Sequence, residues 1–117
     1  MKQFETTRCL SKHHEENVAR YLDMRRQLNS GATPFAKGDI IDKDWIVECK
    51  TKMQPASSFT IPLDWLKKNN EERRQMNRMY SALAISFDQG DSSYFIVDQK
   101  TFREMKEALR IVDAMAE

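Results

Sequence analysis

The apolar residues of this chain occur mainly in short runs of strand length, and segments with helical spacing lie between and around those runs. Residues 40–41 and 45–47 are two such runs, and the polar segment 42–44 between them predicts a tight β-hairpin. Residues 83–87 and 94–97 predict a second pair of strands joined by a turn. A short run at 59–61 is a candidate for one further strand.

Three helices are predicted around these strands. The first is expected to begin at an N-cap, Ser11, and to run to about Gln27 with one apolar stripe. The second is expected to start at Pro62 and to turn Leu63 and Leu66 inward. The third, over residues 102–114, has apolar side chains at helical spacing that are expected to pack on the sheet. These side chains are Phe102, Met105, Leu109 and Val112.

The order of elements is therefore α-β-β-(β)-α-β-β-α, which predicts an α/β fold with a small mixed β-sheet flanked by helices. With 117 residues, of which 40% are hydrophobic and 32% charged, we expect a single globular domain over residues 1–117.

No apolar run approaches the roughly 20 residues of a membrane helix, and residues 1–10 lack a signal-peptide core, so we expect no membrane association and a cytoplasmic location. Cys9 and Cys49 are expected to be free thiols.

Acidic residues and a lysine lie where the first hairpin would bring them together. Asp39 opens its first strand, and Glu48 and Lys50 close its second. Because side chains alternate along a strand, Glu48 and Lys50 are expected on one face, with Asp39 folded back beside them. Enzymes that hydrolyse phosphodiesters commonly use carboxylates to bind Mg²⁺. We therefore expect Asp39, Glu48 and the backbone carbonyl of Cys49 to bind the metal, and Lys50 to orient water or neutralise charge.

A second acid-x-lysine pattern, Asp98-Gln99-Lys100, also follows an apolar strand. It has a structural explanation, because Asp98 lies at a strand-to-helix junction and Thr101 and Glu104 have the spacing of a helix capping box. The set around Glu48 has no comparable explanation. The residues alone leave a nuclease site and a chance pattern about equally favoured.

Three segments of the chain resemble the core of the PD-(D/E)XK nuclease superfamily. They are Ser-Gly-Ala at 30–32, Lys-Gly-Asp at 37–39 and Val-Glu-Cys-Lys-Thr at 47–51, and they are most similar to archaeal and phage Holliday junction resolvases. Those proteins have a first-helix glutamate that is followed by apolar residues. Glu15 matches this glutamate better than Glu16 does, and the choice between them stays open. Gly38 departs from the motif, where proline is usual.

The resemblance implies a restriction-endonuclease-like core and a Mg²⁺-dependent endodeoxyribonuclease of a prokaryotic or phage-infected cell, with Mn²⁺ as a substitute metal. It also implies that Asp39, Glu48 and Lys50 are catalytic. Glu15 would be a further metal ligand, and Ser30 would lie near the scissile phosphate. The similarity covers roughly residues 15–51 and, more loosely, residues 57–87.

DNA is the partner that this resemblance implies, although the net charge of +1 does not indicate nucleic-acid binding by itself. A binding surface for branched or double-stranded DNA would need basic residues on one face, and the same residues are also typical of a solvated helix surface. The expected contacts are Arg25, Arg26, Lys37, Lys67 and Lys68. A four-way junction needs two symmetric cuts, which a C2 homodimer would supply.

Two other functions stay open. The chain could be a different PD-(D/E)XK nuclease, such as a nickase, a repair nuclease or a restriction-type enzyme. It could also be a non-catalytic DNA-binding module on the same fold, although the complete set of acidic residues and lysine argues against that.

Four further side chains are assigned structural roles. Adjacent His13 and His14 point in different directions on a helix and are expected to be solvated. Trp65 is expected to fill the core beside Leu66. Cys49 is expected to be buried on the strand face opposite Glu48 and Lys50.

Overall fold

The computed structural model describes residues 7–27 and 40–116, which form three helices and a five-stranded mixed sheet. The predicted α/β class and the small mixed sheet are therefore confirmed. In chain order the elements are α1 (Thr7–Leu22), β1 (Arg25–Arg26), β2 (Ile40–Ile41), β3 (Trp45–Thr51), α2 (Leu63–Gln75), β4 (Tyr80–Ser86), β5 (Tyr94–Ile96) and α3 (Gln99–Ala116).

The sheet has the strand order β1-β2-β3-β4-β5 and is built around a parallel pair, β3 and β4. These two strands pair along their whole length, from Trp45 opposite Tyr80 to Thr51 opposite Ser86. A parallel connection needs a crossover, and α2 supplies it. The other neighbouring strands are antiparallel.

The β2–β3 hairpin is held by Asp42. Its Oδ1 accepts hydrogen bonds from the backbone N–H groups of Asp44 at 2.9 Å and Trp45 at 2.7 Å. Aspartate side chains commonly stabilise turns in this way. The turn sets the register in which Ile40 lies opposite Val47. The hairpin predicted from the two short apolar runs is therefore confirmed.

Both faces of the central strands are buried, and a different helix covers each face. Val18 and Ala19 of α1 pack on one face, and the strand residues of that cluster are Ile40, Val47, Ala82 and Ala84. Because side chains alternate, the buried residues Ile46, Leu83 and Ile85 occupy the other face. That face is covered by α2, which contacts both β3 and β4.

α1 and α2 end in the same hydrogen-bonded motif, in which a residue just beyond the helix is left-handed. Asp23 has a φ of 55°, and the N–H groups of Asp23 and Met24 donate to the carbonyls of Arg20 and Ala19. Asn77, with a φ of 56°, ends α2 through equivalent bonds. Aspartate and asparagine tolerate this conformation better than most residues, so they can end a helix without glycine.

Several predicted boundaries are wrong. α1 runs continuously from Thr7, so Ser11 lies inside the helix and is not its N-cap, and the motif at Asp23 ends the helix before Gln27. The pairing of Arg25–Arg26 with β2 was not predicted. Residues 59–61 do not form a strand. β4 starts earlier than its apolar run, because pairing with β3 extends the strand.

Two predicted apolar contacts are also wrong. Leu63, at the start of α2, is 62% exposed. The stripe on α3 does not pack on the sheet, because α1 and α2 already cover both faces of the central strands. Along this stripe the exposed fractions are 61% for Phe102, 44% for Met105, 65% for Leu109 and 58% for Val112.

In the part of the chain that the structure describes, no helix has the length and apolar character needed to span a membrane.

The turn between β4 and β5 presses against α1 at Gly90. The φ of Gly90 is +93°, and a Cβ at this position would lie 2.8 Å from the Cβ of His14. The carbonyl of Gly90 accepts a hydrogen bond from Asn17 Nδ2 at 2.8 Å. Glycine is required here both by the backbone conformation and by the close approach of the helix.

We expect Gly90→Ala to lower the free energy of unfolding by about 2–4 kcal/mol, because it combines a strained φ with a steric overlap. Urea denaturation measures this loss. Gln54→Ala, in an exposed loop, is the control and should change stability by no more than about 0.5 kcal/mol. Equal midpoints for Gly90→Ala and the wild type would show that α1 and the turn are not in close contact.

Candidate functional site

Glu48 and Lys50 lie on one face of β3, as their spacing predicted. The Nζ of Lys50 is 3.9 Å from Glu48 Oε2. The Lys50 side chain is 35% exposed and that of Glu48 is 25% exposed. The two groups therefore form an ion pair that is partly withdrawn from water but open to it. A carboxylate and an ammonium at this depth can meet a ligand that arrives from solvent.

Glu48 follows the last described pair between β2 and β3. In the described residues β2 pairs with β3 through Ile46 and Val47. Among the described residues, no strand pairs with β3 on that side from Glu48 onward. Ile40 lies opposite Val47, so the next position in that register is opposite Glu48, and Asp39 is the residue that precedes Ile40 in sequence. Asp39 itself lies outside the described residues.

An aromatic ring holds the lysine of this pair. The Nζ of Lys50 lies 4.6 Å from the centroid of the Trp65 ring on α2, which is a cation–π distance. Phe59 meets Trp65 edge to face, with ring centroids 6.4 Å apart. Trp65 was predicted to be a core residue, and it is partly buried, but its contact with Lys50 was not predicted. No local pattern indicates this contact, because Lys50 and Trp65 are fifteen positions apart in sequence and lie on different elements.

Glu15 projects from α1, the helix that covers the opposite face of the sheet. Its Oε1 accepts hydrogen bonds from Arg26 Nε at 3.3 Å and from Arg26 Nη2 at 3.2 Å. Glu16 lies 3.7 Å from Arg26 and is more exposed. The structure thus gives Glu15 the better-defined position of the two glutamates. Its role as a metal ligand stays a prediction.

The predicted basic residues divide between the two sides of the sheet. Arg25 lies opposite Ile41 and shares its face with Glu48 and Lys50, whereas Arg26 is on the α1 side and bonded to Glu15. Lys67 and Lys68 are exposed on α2, the helix next to Lys50. Lys37 lies outside the described residues, as does Ser30. Of the predicted basic residues, Arg25 therefore shares the face of the candidate site, and Lys67 and Lys68 lie on the helix that contacts Lys50.

The described residues alone do not complete a metal site. Across residues 7–27 and 40–116, no group of three histidine, cysteine, aspartate or glutamate side chains is placed to hold a metal ion. Glu48 supplies one carboxylate, and Asp39 is the sequence-predicted second. The side chain of Cys49 packs against the core cluster, as predicted, while its backbone carbonyl stays a predicted ligand.

The expectation that both histidines of α1 are solvated is wrong for His14, which is 0% exposed. Its Nε2 is 2.7 Å from the Oγ of Ser93, and His13 Nε2 is 2.7 Å from Asp91 Oδ1. These bonds join α1 to the turn between β4 and β5. No sequence signal could have identified this contact, because it depends on how closely the turn at Gly90 approaches the helix.

Burial lowers the pKa of His14 to about 4, an effect that the nearby Asp88 carboxylate partly opposes. Asp88 accepts hydrogen bonds from Ser92 and Ser86, which lower its own pKa to about 2. His14 is therefore neutral and Asp88 ionised at physiological pH. Both groups stabilise the turn and lie on the α1 side of the molecule, away from the face of Glu48 and Lys50.

A groove of about 620 Å³ lies between α1 and the β5 region. Its lining includes Asn17, Arg20, Tyr21, Ser93 and Phe95. None of the sequence-predicted site residues lines it. The candidate site is instead an open surface along β3 and α2.

The chain matches no protein-family model, and comparisons with curated proteins and with solved structures also gave no match. The resemblance to the PD-(D/E)XK superfamily therefore stays a prediction from the residues quoted above.

We expect the free energy of unfolding to fall as the pH is lowered from 6.5 toward 4. In this window the unfolded chain binds a proton at His14 that the folded chain excludes, so acid favours unfolding. His14→Gln, which keeps a group able to bond Ser93, should remove this pH dependence and lower stability at neutral pH by about 1–3 kcal/mol.

The measurement is urea denaturation of both proteins across that pH range. His13→Gln is the matched control, because its side chain is exposed and its replacement should leave the pH dependence in place. Parallel stability curves for His14→Gln and the wild type would contradict the assignment to His14.

Proposed function

We propose that this chain is a metal-dependent endodeoxyribonuclease of the PD-(D/E)XK type, with a restriction-endonuclease-like core, that cuts branched DNA as a homodimer. One observation carries the proposal: Glu48 and Lys50 share a face of β3 and form a partly exposed ion pair there. A carboxylate and a lysine that solvent can reach suit a site where a phosphodiester must reach a metal.

The topology around this pair supports the proposal. The β2–β3 hairpin, the α2 crossover and the parallel strand β4 follow one another along the chain and form one continuous unit. Glu48 and Lys50 lie on β3, the middle strand of the sheet. The residues just before them, Ile46 and Val47, pair with β2 on one side and with β4 on the other, and this pairing holds the backbone in place. Rigid backbone is what a catalytic group requires to keep its position.

Each residue of the site would have a distinct task. Asp39 and Glu48 would hold Mg²⁺ with the carbonyl of Cys49. Glu15 stays the further ligand that the resemblance implies, although it lies on the α1 side of the sheet and is hydrogen-bonded to Arg26. Mg²⁺ needs only one or two carboxylates when water and substrate phosphate fill its remaining positions. When bound, the metal would supply a Lewis acid and acidify water. Lys50, steadied by Trp65, would orient that water or neutralise the developing negative charge.

The basic residues on the same side would bind the DNA backbone. Arg25 shares the face of Lys50, and Lys67 and Lys68 are exposed on the neighbouring helix. Contacts of this kind recognise phosphates and therefore shape, without reading the base sequence. A small domain with such a surface is suited to a DNA substrate that is recognised by its branched shape.

We expect Asp39→Asn and Lys50→Ala each to lower cleavage of a four-way DNA junction in Mg²⁺ by about 100-fold or more. Asp39→Asn keeps the shape but loses the charge that holds the metal, so binding to the junction should be unchanged or tighter. Lys50→Ala should weaken binding slightly, because it removes a cation. Single-turnover cleavage and gel shifts measure the two effects separately.

Asp98→Asn and Lys100→Ala are the matched controls, since the same spacing recurs there at the junction of β5 and α3. Asp98 caps α3 by accepting a hydrogen bond from the N–H of Thr101 at 2.9 Å, and asparagine is also a good cap. Both controls should cut like the wild type. An Asp39→Asn protein that cuts at the wild-type rate would show that the site has been misplaced.

Removal of divalent cations should abolish cleavage, and Mg²⁺ or Mn²⁺ should restore it. Ca²⁺ should support binding of the junction without cleavage, because it accepts oxygen ligands but adopts a looser geometry than Mg²⁺.

Comparison of labelled linear, nicked, flapped and four-way DNA then defines the substrate. Cleavage of unbranched DNA at an equal rate would favour a different nuclease on this core, and binding without cleavage of any of them would favour a non-catalytic module.

A further inference from the structure

The last helix of the described chain presents a long apolar face to solvent. The large apolar side chains exposed on this face are Phe102, Met105, Leu109, Val112 and Met115. At 1.5 Å per residue, an 18-residue helix is about 27 Å long, and these residues extend over most of it. A contiguous apolar surface of this extent is unusual on a monomer and typically marks an interaction site.

Only the start of α3 is attached to the rest of the described structure. The helix is capped by Asp98, Thr101 is buried, and the hydroxyl of Tyr80 donates to Glu104 at 3.0 Å. Within residues 7–27 and 40–116, no helix or strand makes extensive contact with the remainder of α3. Its apolar face is therefore free to receive a partner.

The spacing of this face fits another helix. Its central residues alternate at intervals of three and four, which is the pattern of a coiled-coil seam. The residues of the seam are Phe102, Met105, Leu109, Val112 and Ala116. Ala108 and Met115 widen the seam on one side. A partner with a flat surface would not require this alternation. A partner helix does, because its own side chains pack between residues spaced in this way.

The charges beside the seam select an antiparallel copy of the same helix. Lys106 and Asp113 are seven residues apart and border the same side of the seam. In an antiparallel pair that sets Leu109 of one copy opposite Val112 of the other, Lys106 would face Asp113, and the symmetry would create this pair twice. A parallel pair would place Thr101 and Ala108 opposite these charges, so opposite charges would not meet.

The overall charge of α3 argues against a membrane or nucleic acid as the partner. The helix carries four basic residues, Lys100, Arg103, Lys106 and Arg110, and three acidic residues, Glu104, Glu107 and Asp113. Helices that lie on anionic lipid surfaces usually have a predominantly basic polar face. A nearly balanced polar face suits a protein interface.

We propose that α3 joins two copies of this chain through an antiparallel helix pair with C2 symmetry. The role of this dimer, to bring two cutting sites together, rests on the proposed function. The existence of the dimer depends only on α3, and it can be measured without DNA.

The first test is the mass of the wild-type chain by sedimentation velocity and light scattering over a range of micromolar concentrations. The wild type should form a dimer. Leu109→Lys should raise the dissociation constant about tenfold or more, because it places a charge at the centre of the seam. Since Leu109 is exposed in the single chain, the circular dichroism spectrum of the variant should keep its native shape.

Ala114→Lys is the matched control, because it adds the same side chain to the polar side of α3. It should dimerise like the wild type. A wild-type chain that remains monomeric at every concentration would overturn the proposal, and so would a dimer that Leu109→Lys leaves intact.

The second test is a charge exchange. Lys106→Asp alone and Asp113→Lys alone would each bring like charges together and should raise the dissociation constant about fivefold. The double variant, Lys106→Asp with Asp113→Lys, restores opposite charges across the pair and should recover wild-type affinity. Failure of the double variant to recover would overturn the antiparallel arrangement.

These measurements separate the two proposals. A dimer that shows the expected responses but cuts no DNA would support the α3 interface and contradict the nuclease assignment. A monomer that cuts DNA and loses cleavage with Asp39→Asn would support the nuclease and overturn the interface.

Discussion

The parallel pairing of β3 with β4 is the interaction on which the rest of this structure depends. The two strands are paired along their full length and are buried on both faces. Ile46 and Leu83 are fully buried on one face, and Val47 and Ala84 are almost completely buried on the other. A parallel pair of this kind requires a crossover helix and a cover for each face. α2 and α1 meet those two requirements, so the positions of both helices follow from the strands.

The candidate site is a consequence of the same pairing. Alternation along β3 turns Val47 and Cys49 toward the α1 core, and it therefore turns Glu48 and Lys50 toward α2. In the described part of the chain, Glu48 and Lys50 follow the last pair between β2 and β3. Trp65 packs beside the lysine at the start of the crossover. The two charged side chains lie close to each other in a partly exposed position, so neither is an isolated charge in the core.

Complete cover of the central strands also explains why α3 is exposed. Once α1 and α2 occupy the two faces, a third amphipathic helix has no open face of those strands on which to bury its apolar side. The cap at Asp98 and the bond between Tyr80 and Glu104 hold its first turns, and the apolar seam continues past them into solvent. The contact between α1 and the turn at Gly90 attaches α1 to the β4–β5 end of the sheet.

Local patterns in the sequence are sufficient to predict the fold class, the two hairpins and the shared face of Glu48 and Lys50. These patterns are short apolar runs, turn residues such as Asp42 and the two-residue period of a strand. The ends of α1 and α2 were not predicted, because Asp23 and Asn77 are weaker helix-end signals than glycine. The resemblance carried by residues 30–51 added the chemistry, which stays a prediction.

Only the tertiary structure decided which side chains are buried and what they contact. The spacing of Phe102, Met105, Leu109 and Val112 was correctly recognised as an amphipathic helix, but the pattern cannot tell whether the partner lies in the same chain. His14 is hidden because a distant turn contains glycine at position 90, and Lys50 lies over Trp65 because the crossover returns to its strand. These contacts join residues far apart in sequence, and their formation depends on the space left by other elements, which no local pattern encodes.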